Sequence, residues 1–318
     1  MVDITTRKTA LTDTELRYVA ARVRNGSRTV VNPHPFKFII NNERVCAGER
    51  DLFLLVYVHS APGHFKRRET IRETWGNRKY YARTMKIIFV LGLTNASTPE
   101  TDAALHREHA AHKDIVQEDF MDSYRNLTYK AIGALKWIST FCVNAKYVLK
   151  SDDDMIVNPF TLMRYLEGKT SSADIMCNAY HLGHVLREPE RCHVTRDEYG
   201  IDFYPIFCSG SAFVMTIDIA LALHKVSYSV PFFWVDDVYL TGLLTFKLGD
   251  VTFEQLSDKY EVFVEETVVK KLAGWWWSSY IFGHVPTADI FQTVWTTIVE
   301  KAAKCLDGVC LPPRRVDS

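Results

Sequence analysis

The sequence predicts an α/β protein built on a mainly parallel central sheet. Three observations carry that prediction. The strands read over 51–58, 85–91 and 147–149 are built on apolar runs, 52–58 and 87–91 being the longest, continuous rather than alternating, as in strands buried on both faces. Stretches with helical spacing lie between them. Pro- and Gly-containing turns, such as Ser60-Ala61-Pro62-Gly63, separate the two kinds of element.

In chain order, residues 1–31 are polar and weakly periodic. They read as a stem or leader with a short helix at 12–24. Asn32-Pro33-His34-Pro35 is a turn signal that opens the compact region, 32–318. After the first strand, residues 65–77 place Phe65, Ile71 and Trp75 on one side of a helix. A surface helix is expected over 99–113 and a shorter strand over 114–120. The clearest helix covers 123–141, where Leu127, Ile132, Leu135, Ile138 and Phe141 form a stripe and Ser123 can cap the start. Asn158-Pro159 opens another helix, with Pro in its first turn.

Bulk composition narrows the function classes. The chain has 318 residues, 47% hydrophobic and 24% charged, which argues against disorder. Lys+Arg and Asp+Glu both number 38, so the net charge gives no electrostatic reason to expect nucleic acid as a partner. No apolar run approaches the roughly 18–20 residues of a membrane span, and residues 1–25 lack the apolar stretch of a signal peptide. Seven cysteines (46, 142, 177, 192, 208, 305 and 310) show no zinc spacing. With sequons at Asn25, Asn95 and Asn126 they point to an oxidising, secretory compartment.

Two acidic groups carry the chemistry. Asp152-Asp153-Asp154 follows the strand that ends near Lys150. Ligands of open α/β sheets collect at the carboxyl ends of strands. Adjacent carboxylates repel, and a hard divalent cation resolves the repulsion together with phosphate oxygens. The other reading is a solvated turn before the helix at Asn158. A metal-dependent phosphohydrolase would also use such a triplet, but no further motif supports one. The second group, Asp236-Asp237, sits in Phe232-Phe233-Trp234-Val235-Asp236-Asp237-Val238. One member is expected to cap the helix over 238–248, leaving the other to face a cleft as a desolvated base.

The ordered motifs resemble the β1,3-glycosyltransferases, the family of β1,3-galactosyltransferases and β1,3-N-acetylglucosaminyltransferases. The likeness runs from Asn32 to about Cys305. Asn32-Pro33-His34-Pro35-Phe36 is similar to the galactosyltransferase branch. Arg68-Glu69-Thr70-Ile71-Arg72-Glu73-Thr74-Trp75 resembles R-x-x-I-R-x-T-W. Glu118-Asp119-Phe120-Met121-Asp122-Ser123-Tyr124-Arg125-Asn126-Leu127-Thr128-Tyr129-Lys130 resembles E-D-F-x-D-x-Y-x-N-L-T-x-K. Lys150-Ser151-Asp152-Asp153-Asp154, Tyr204-Pro205-Ile206-Phe207-Cys208-Ser209-Gly210 and Asp236-Asp237-Val238 fall where the family has K-x-D-D-D, Y-P-P-[YF]-C-S-G and E-D-V or D-D-V.

The resemblance implies a single GT-A-like nucleotide-sugar-binding domain over 32–318. It implies an inverting hexosyltransferase that moves galactose, or N-acetylglucosamine, from its UDP-sugar to the 3-hydroxyl of an acceptor glycan. The acceptor is carried on a glycolipid or glycoprotein. It implies Mn²⁺ held by Asp152, Asp154 and His284, the last from Ile281-Phe282-Gly283-His284. By the resemblance Asp237 is the base, with Asp236 an alternative or a structural partner; the pair departs from the E-D-V of many members, and the shorter Asp236 changes its own contact but leaves Asp237 in place. Arg68, Arg72, Lys130, Asp152 and Asp153 become nucleotide-side residues. Ion pairs of the arginines with Glu69 and Glu73, and of Lys130 with Asp122, are the competing readings. One of Trp275, Trp276 and Trp277 is expected to face the acceptor. The family is tethered in the Golgi lumen by an N-terminal span, which this chain does not display. A catalytically silent sugar- or nucleotide-binding relative is the alternative.

Overall fold

The computed structural model describes residues 10–24, 30–94, 98–188, 191–261, 280–285 and 287–306. Trp275, Trp276, Trp277 and the sequons at Asn25 and Asn95 lie outside the described residues. The chain divides into two compact units. The first comprises Met1–Glu69, Arg83–Asp153 and Ser171–Ser257; the second comprises Thr70–Ala82, Asp154–Thr170 and Asp258–Ser318.

The first unit is organised by an eight-stranded sheet. Its strands are β1 (Phe38–Ile40), β2 (Leu52–His59), β3 (Met85–Leu93), β4 (Ile115–Met121), β5 (Ala145–Asp152), β7 (Ile175–Tyr180), β8 (Phe207–Thr216) and β9 (Phe253–Gln255). Their order is β1-β4-β3-β2-β5-β8-β7-β9. The central run β4-β3-β2-β5 is parallel, and β7 pairs parallel with β9. The sheet is thus mostly parallel, as expected, with β1 and β8 entering antiparallel. Every residue of β2 is buried, which is why its sequence is continuously apolar.

Helix α4 (Leu127–Phe141) covers β2, β3 and β4, and α6 (Ile217–Ser227) covers β5 and β8. Ile132, Leu135, Trp137 and Ile138 are buried along α4, the stripe expected from spacing. Burying each such side chain contributes about 1.5–3 kcal/mol. Ser123 does not cap this helix. A 3₁₀ turn, Tyr124–Asn126, intervenes, and Ser123 makes no side-chain cap bond. The Asn126 amide donates to Met121 O at 2.8 Å and buried Thr128 donates to Phe233 O at 2.7 Å, so the third sequon sits in a bonded helix start. Helix α1 (Asp13–Arg24) buries Val19 and Val23 in the core of this unit, and α3 (Pro99–His112), which carries Glu108, buries Leu105.

The motif at 32–36 is structural. The Asn32 amide donates to Tyr239 OH at 2.8 Å, and His34 Nε2 lies 2.6 Å from Glu118 Oε2. Disulfides join Cys46 to Cys142 and Cys177 to Cys208, and Cys192 is a free thiol.

The second unit holds a small sheet of β6 (Met155–Val157), β11 (Phe282–His284) and β10 (Tyr260–Glu261), in the order β10-β11-β6. Helix α5 (Pro159–Glu167) follows β6. Asn158 caps it by accepting from Thr161 N at 3.2 Å, with Pro159 in its first turn as expected. Helix α2 (Phe65–Glu73) crosses from the first unit into the second. No described helix is long and apolar enough to cross a membrane.

Candidate active site

The acidic triplet stands where the sequence puts it, at the carboxyl end of β5, and the boundary between the units falls after Asp153.

In the first unit, Asp152 Oδ1 accepts from Lys150 Nζ at 2.5 Å. Residues two apart on a strand share a face, so β5 presents its own cation to its terminal carboxylate. Lys150 Nζ also donates to Gly210 O on β8. In the sequence the only sign of this role of Lys150 is its two-residue spacing from Asp152.

Asp153 turns inward. Ser60 Oγ and Arg67 Nη1 donate to it, and His64 Nδ1 lies against the same carboxyl, all at 2.7 Å. Burial alone would raise its pKa, but the bonds to His64, Ser60 and Arg67 outweigh that and hold it below the ordinary carboxylate value. Arg67 is the arginine that meets the triplet. The helical spacing that pairs Arg68 with Arg72 does not mark it.

Arg68 is fully buried. Its Nε and Nη2 meet Glu108 at 2.9 and 2.7 Å, and its remaining donors meet Ala61 O at 2.5 Å, Pro62 O at 3.0 Å and Ser60 Oγ at 3.2 Å. The guanidinium therefore braces the loop after β2, paired with Glu108 rather than Glu69. Lys130 pairs with Asp122 at 2.8 Å and donates to Ser60 O at 2.5 Å. Arg72 belongs to the second unit.

The second acidic pair opens a π-helix, Val238–Leu244. Asp237 is the cap: its Oδ1 accepts from Val238 N at 2.7 Å. Thr241 Oγ1 donates to Asp237 O at 2.7 Å and accepts from Cys208 N at 2.9 Å, tying the pair to the start of β8. Cys208 is in turn bolted to β7 through Cys177. Just before the pair, Trp234 Nε1 donates to Glu198 at 3.0 Å.

Both carboxyls keep an exposed edge and are otherwise enclosed. Burial raises the Asp236 pKa, against the pull of nearby Lys150. Burial, then the charge of Asp236, pushes Asp237 up to about 7. A buried carboxyl with that basicity can take a proton from a hydroxyl near neutral pH.

In the second unit, Asp154 and His284 come together because β6 and β11 pair antiparallel, with His284 opposite Met155. Val285 N donates to Asp154 O at 2.8 Å. Buried Trp75 supports the strand by donating to Met155 O at 3.0 Å. His284 Nε2 lies 3.6 Å from Asp154 Oδ2, both partly exposed. Two ligands of one divalent ion at about 2.1 Å span a comparable distance, so this pair fits a metal. Among the described residues no group of three or more His, Cys, Asp or Glu side chains is set to hold one.

The comparisons agree with the motifs. The family described as Galactosyltransferase matches residues 66–256, more than half of the chain. Beta-1,3-galactosyltransferase 1 of mouse and of human is each 33% identical over 228 residues, covering 70% of this chain and 69% of the relative. Lactosylceramide 1,3-N-acetyl-beta-D-glucosaminyltransferase A of Xenopus laevis is 31% identical over 238 residues, covering 72% of this chain and 61% of that protein. The apo structure of the bifunctional glycosyltransferase WbbM superposes with a TM-score of 0.42 at 12% identity, over 79% of this chain and 52% of that one. That match is too loose to add to the assignment.

Proposed function

Because the chain belongs to the galactosyltransferase family and is a UDP-sugar-dependent glycosyltransferase forming β1,3 linkages, we propose that its donor is UDP-galactose and that Asp237 is its base. The basicity of Asp237 is the observation that carries the second half. The family description and the galactosyltransferase relatives support the first. UDP-N-acetylglucosamine is the other donor to screen, and the acceptor is a glycan on a lipid or protein.

The reaction needs one proton acceptor and one leaving group. The Asp237 carboxylate takes the proton of the acceptor 3-hydroxyl. That oxygen attacks the anomeric carbon as the bond to the diphosphate breaks. UDP leaves, and the configuration inverts in one displacement. Cap and base then fall on one residue, where the sequence expected them on separate members of the pair: Val238 N–H takes one oxygen of Asp237 and thereby fixes the direction of the other. The silent-relative alternative has no support in this pair, which keeps both carboxyls.

We infer Mn²⁺ as the metal, with Asp152, Asp154 and His284 its ligands. Carboxylate with imidazole suits such an ion. The metal supplies neutralisation of the leaving diphosphate's charge. Asp153 supports that arrangement by anchoring the triplet to the loop after β2, which Arg68 and Lys130 also brace; Arg72 remains a nucleotide-side proposal. Work in the Golgi lumen is the localisation that accords with the family and with two disulfides.

The test is UDP release from each donor with β-galactoside and N-acetylglucosaminide acceptors. Asp237→Asn should lower kcat by about 10²–10⁴-fold at unchanged donor affinity. Turnover at the wild-type rate in that variant would remove Asp237 as the base.

A further inference from the structure

One polar residue beside the acidic pair has no role in the chemistry above. His59 ends β2 and is 5% exposed, and neither ring nitrogen has a hydrogen-bond partner among the described residues. Buried polar atoms are rarely left so, and each asks for an explanation. The neighbouring position on the same face of the strand repeats the pattern. Tyr57 is fully buried with an unpartnered hydroxyl, its ring centroid 5.6 Å from that of His59. An apolar residue at either position would have served packing alone.

The acidic group nearest the imidazole belongs to the pair. His59 Nδ1 lies 4.0 Å from Asp236 Oδ2. Catalytic hydrogen bonds are commonly long before substrate arrives and tighten in the complex. Burial, then the charges of Lys150 and Lys130, lowers the His59 pKa well below its ordinary value, so the ring is neutral and carries one N–H. The two carboxyls are held differently. Asp237 is fixed as a helix cap and lies against Gly210. Asp236 is met by backbone N–H groups of its own turn, and its sheet-facing oxygen looks to His59.

We propose that His59 is a positioning residue for the transfer reaction: its Nδ1–H holds the Asp236 carboxylate toward β2, leaving Asp237 alone to face the acceptor hydroxyl. The proposal rests on the reading of Asp237 as base. It accounts for a buried histidine whose ring nitrogens otherwise bond to nothing described. It also divides the pair's work: Asp236 is oriented by a side chain of the sheet, Asp237 by the helix it caps.

The test is a double-mutant cycle on the full chain, with UDP release measured using whichever donor and acceptor turn over. His59→Phe should lower kcat about tenfold, with both KM values within about twofold, because only the alignment of the pair is disturbed. The His59→Phe/Asp236→Asn double variant should be about as slow as Asp236→Asn alone, since residues acting through one another do not add. His59→Asn, which keeps an N–H near the Nδ1 position, should recover most of the lost kcat. Nitrogen-15 NMR should find the His59 proton on Nδ1 in the wild-type protein and on Nε2 in Asp236→Asn. Full kcat in His59→Phe, multiplicative losses in the double variant, or an Nε2–H ring in the wild type overturns the proposal. The NMR arm decides even if His59→Phe fails to fold. Failure of the base reading is separate: it appears as wild-type turnover in Asp237→Asn.

Discussion

Gly210 lies flush against Asp237: a Cβ built on the glycine would stand 3.0 Å from Asp237 Cβ and 3.1 Å from its Oδ2. Real Cβ atoms rarely come so close, so Gly210→Ala must displace the carboxyl. The Cys177–Cys208 disulfide and the Thr241 bridge leave this end of β8 little room to move away. Misplacing a catalytic group by a fraction of an ångström to an ångström costs about 10–100-fold in rate. We therefore expect Gly210→Ala to lose about that much kcat while its melting temperature stays within a few degrees of wild type. Equal activity in the two proteins would separate Gly210 from the catalytic geometry.

The basicity of Asp237 sets a pH dependence of known sign. The carboxyl must be ionised to accept a proton, so kcat/KM should rise with pH and level off above about 7. Stability runs the other way. Burial and the neighbouring Asp236 raise the folded-state pKa, so the folded protein holds this proton more tightly than the unfolded chain. The stability from that proton is complete below the unfolded carboxylate pKa and is lost as pH rises toward about 7. Asp237→Asn removes the titration. Its melting temperature relative to wild type should increase across that window, as paired thermal melts would record.

Arg68 separates a structural role from a nucleotide contact. Its buried guanidinium is shared between Glu108 and the carbonyls of Ala61 and Pro62. Removing one partner of a buried ion pair costs about 3–5 kcal/mol because the other charge is stranded. Arg68→Ala should lose stability of that order in urea melts. Replacing both partners, in Arg68→Met/Glu108→Leu, should restore much of it. If Arg68 instead held the uridine diphosphate, Arg68→Ala would weaken UDP binding at unchanged stability.

The strands and the site were legible to different depths. Buried parallel strands declare themselves as continuous apolar runs, so β2 and β3 were readable almost to their ends, and β5 only over its apolar centre. The antiparallel entry of β8 beside β5 was not, because an apolar strand carries no mark of direction. The acidic groups were legible from charge density. Their partners were not. Whether Arg67 or Arg68 meets Asp153 depends on how α2 docks beside the loop after β2, a tertiary fact that helical spacing alone does not encode. His59 was hidden for a related reason: a lone histidine at the end of an apolar run looks like strand packing until its empty ring nitrogens are seen beside Asp236. Ser123 erred oppositely, since capping chemistry was present but a 3₁₀ turn shifted the helix start beyond it.

The triplet offers a last prediction, because its members have separable jobs. Asp153 is saturated by Ser60, His64 and Arg67, and its lowered pKa means that its contribution to stability is present above the unfolded carboxylate value and lost as pH falls through the folded one. Asp154 faces His284 across 3.6 Å with part of its surface open. Asp153→Asn should therefore destabilise the protein, by about 1–3 kcal/mol for the weakened buried bonds, and should flatten the loss of stability in acid. It should leave Mn²⁺ affinity nearly unchanged. Asp154→Ala and His284→Ala should do the reverse: near-normal melting, but Mn²⁺ binding weakened about tenfold or more when titrated calorimetrically in the presence of UDP. If His284→Ala binds Mn²⁺ as wild type does while Asp154→Ala does not, the imidazole is a neighbour of the metal rather than a ligand. If both variants bind normally, the metal lies elsewhere and the pairing of β6 with β11 serves the fold alone.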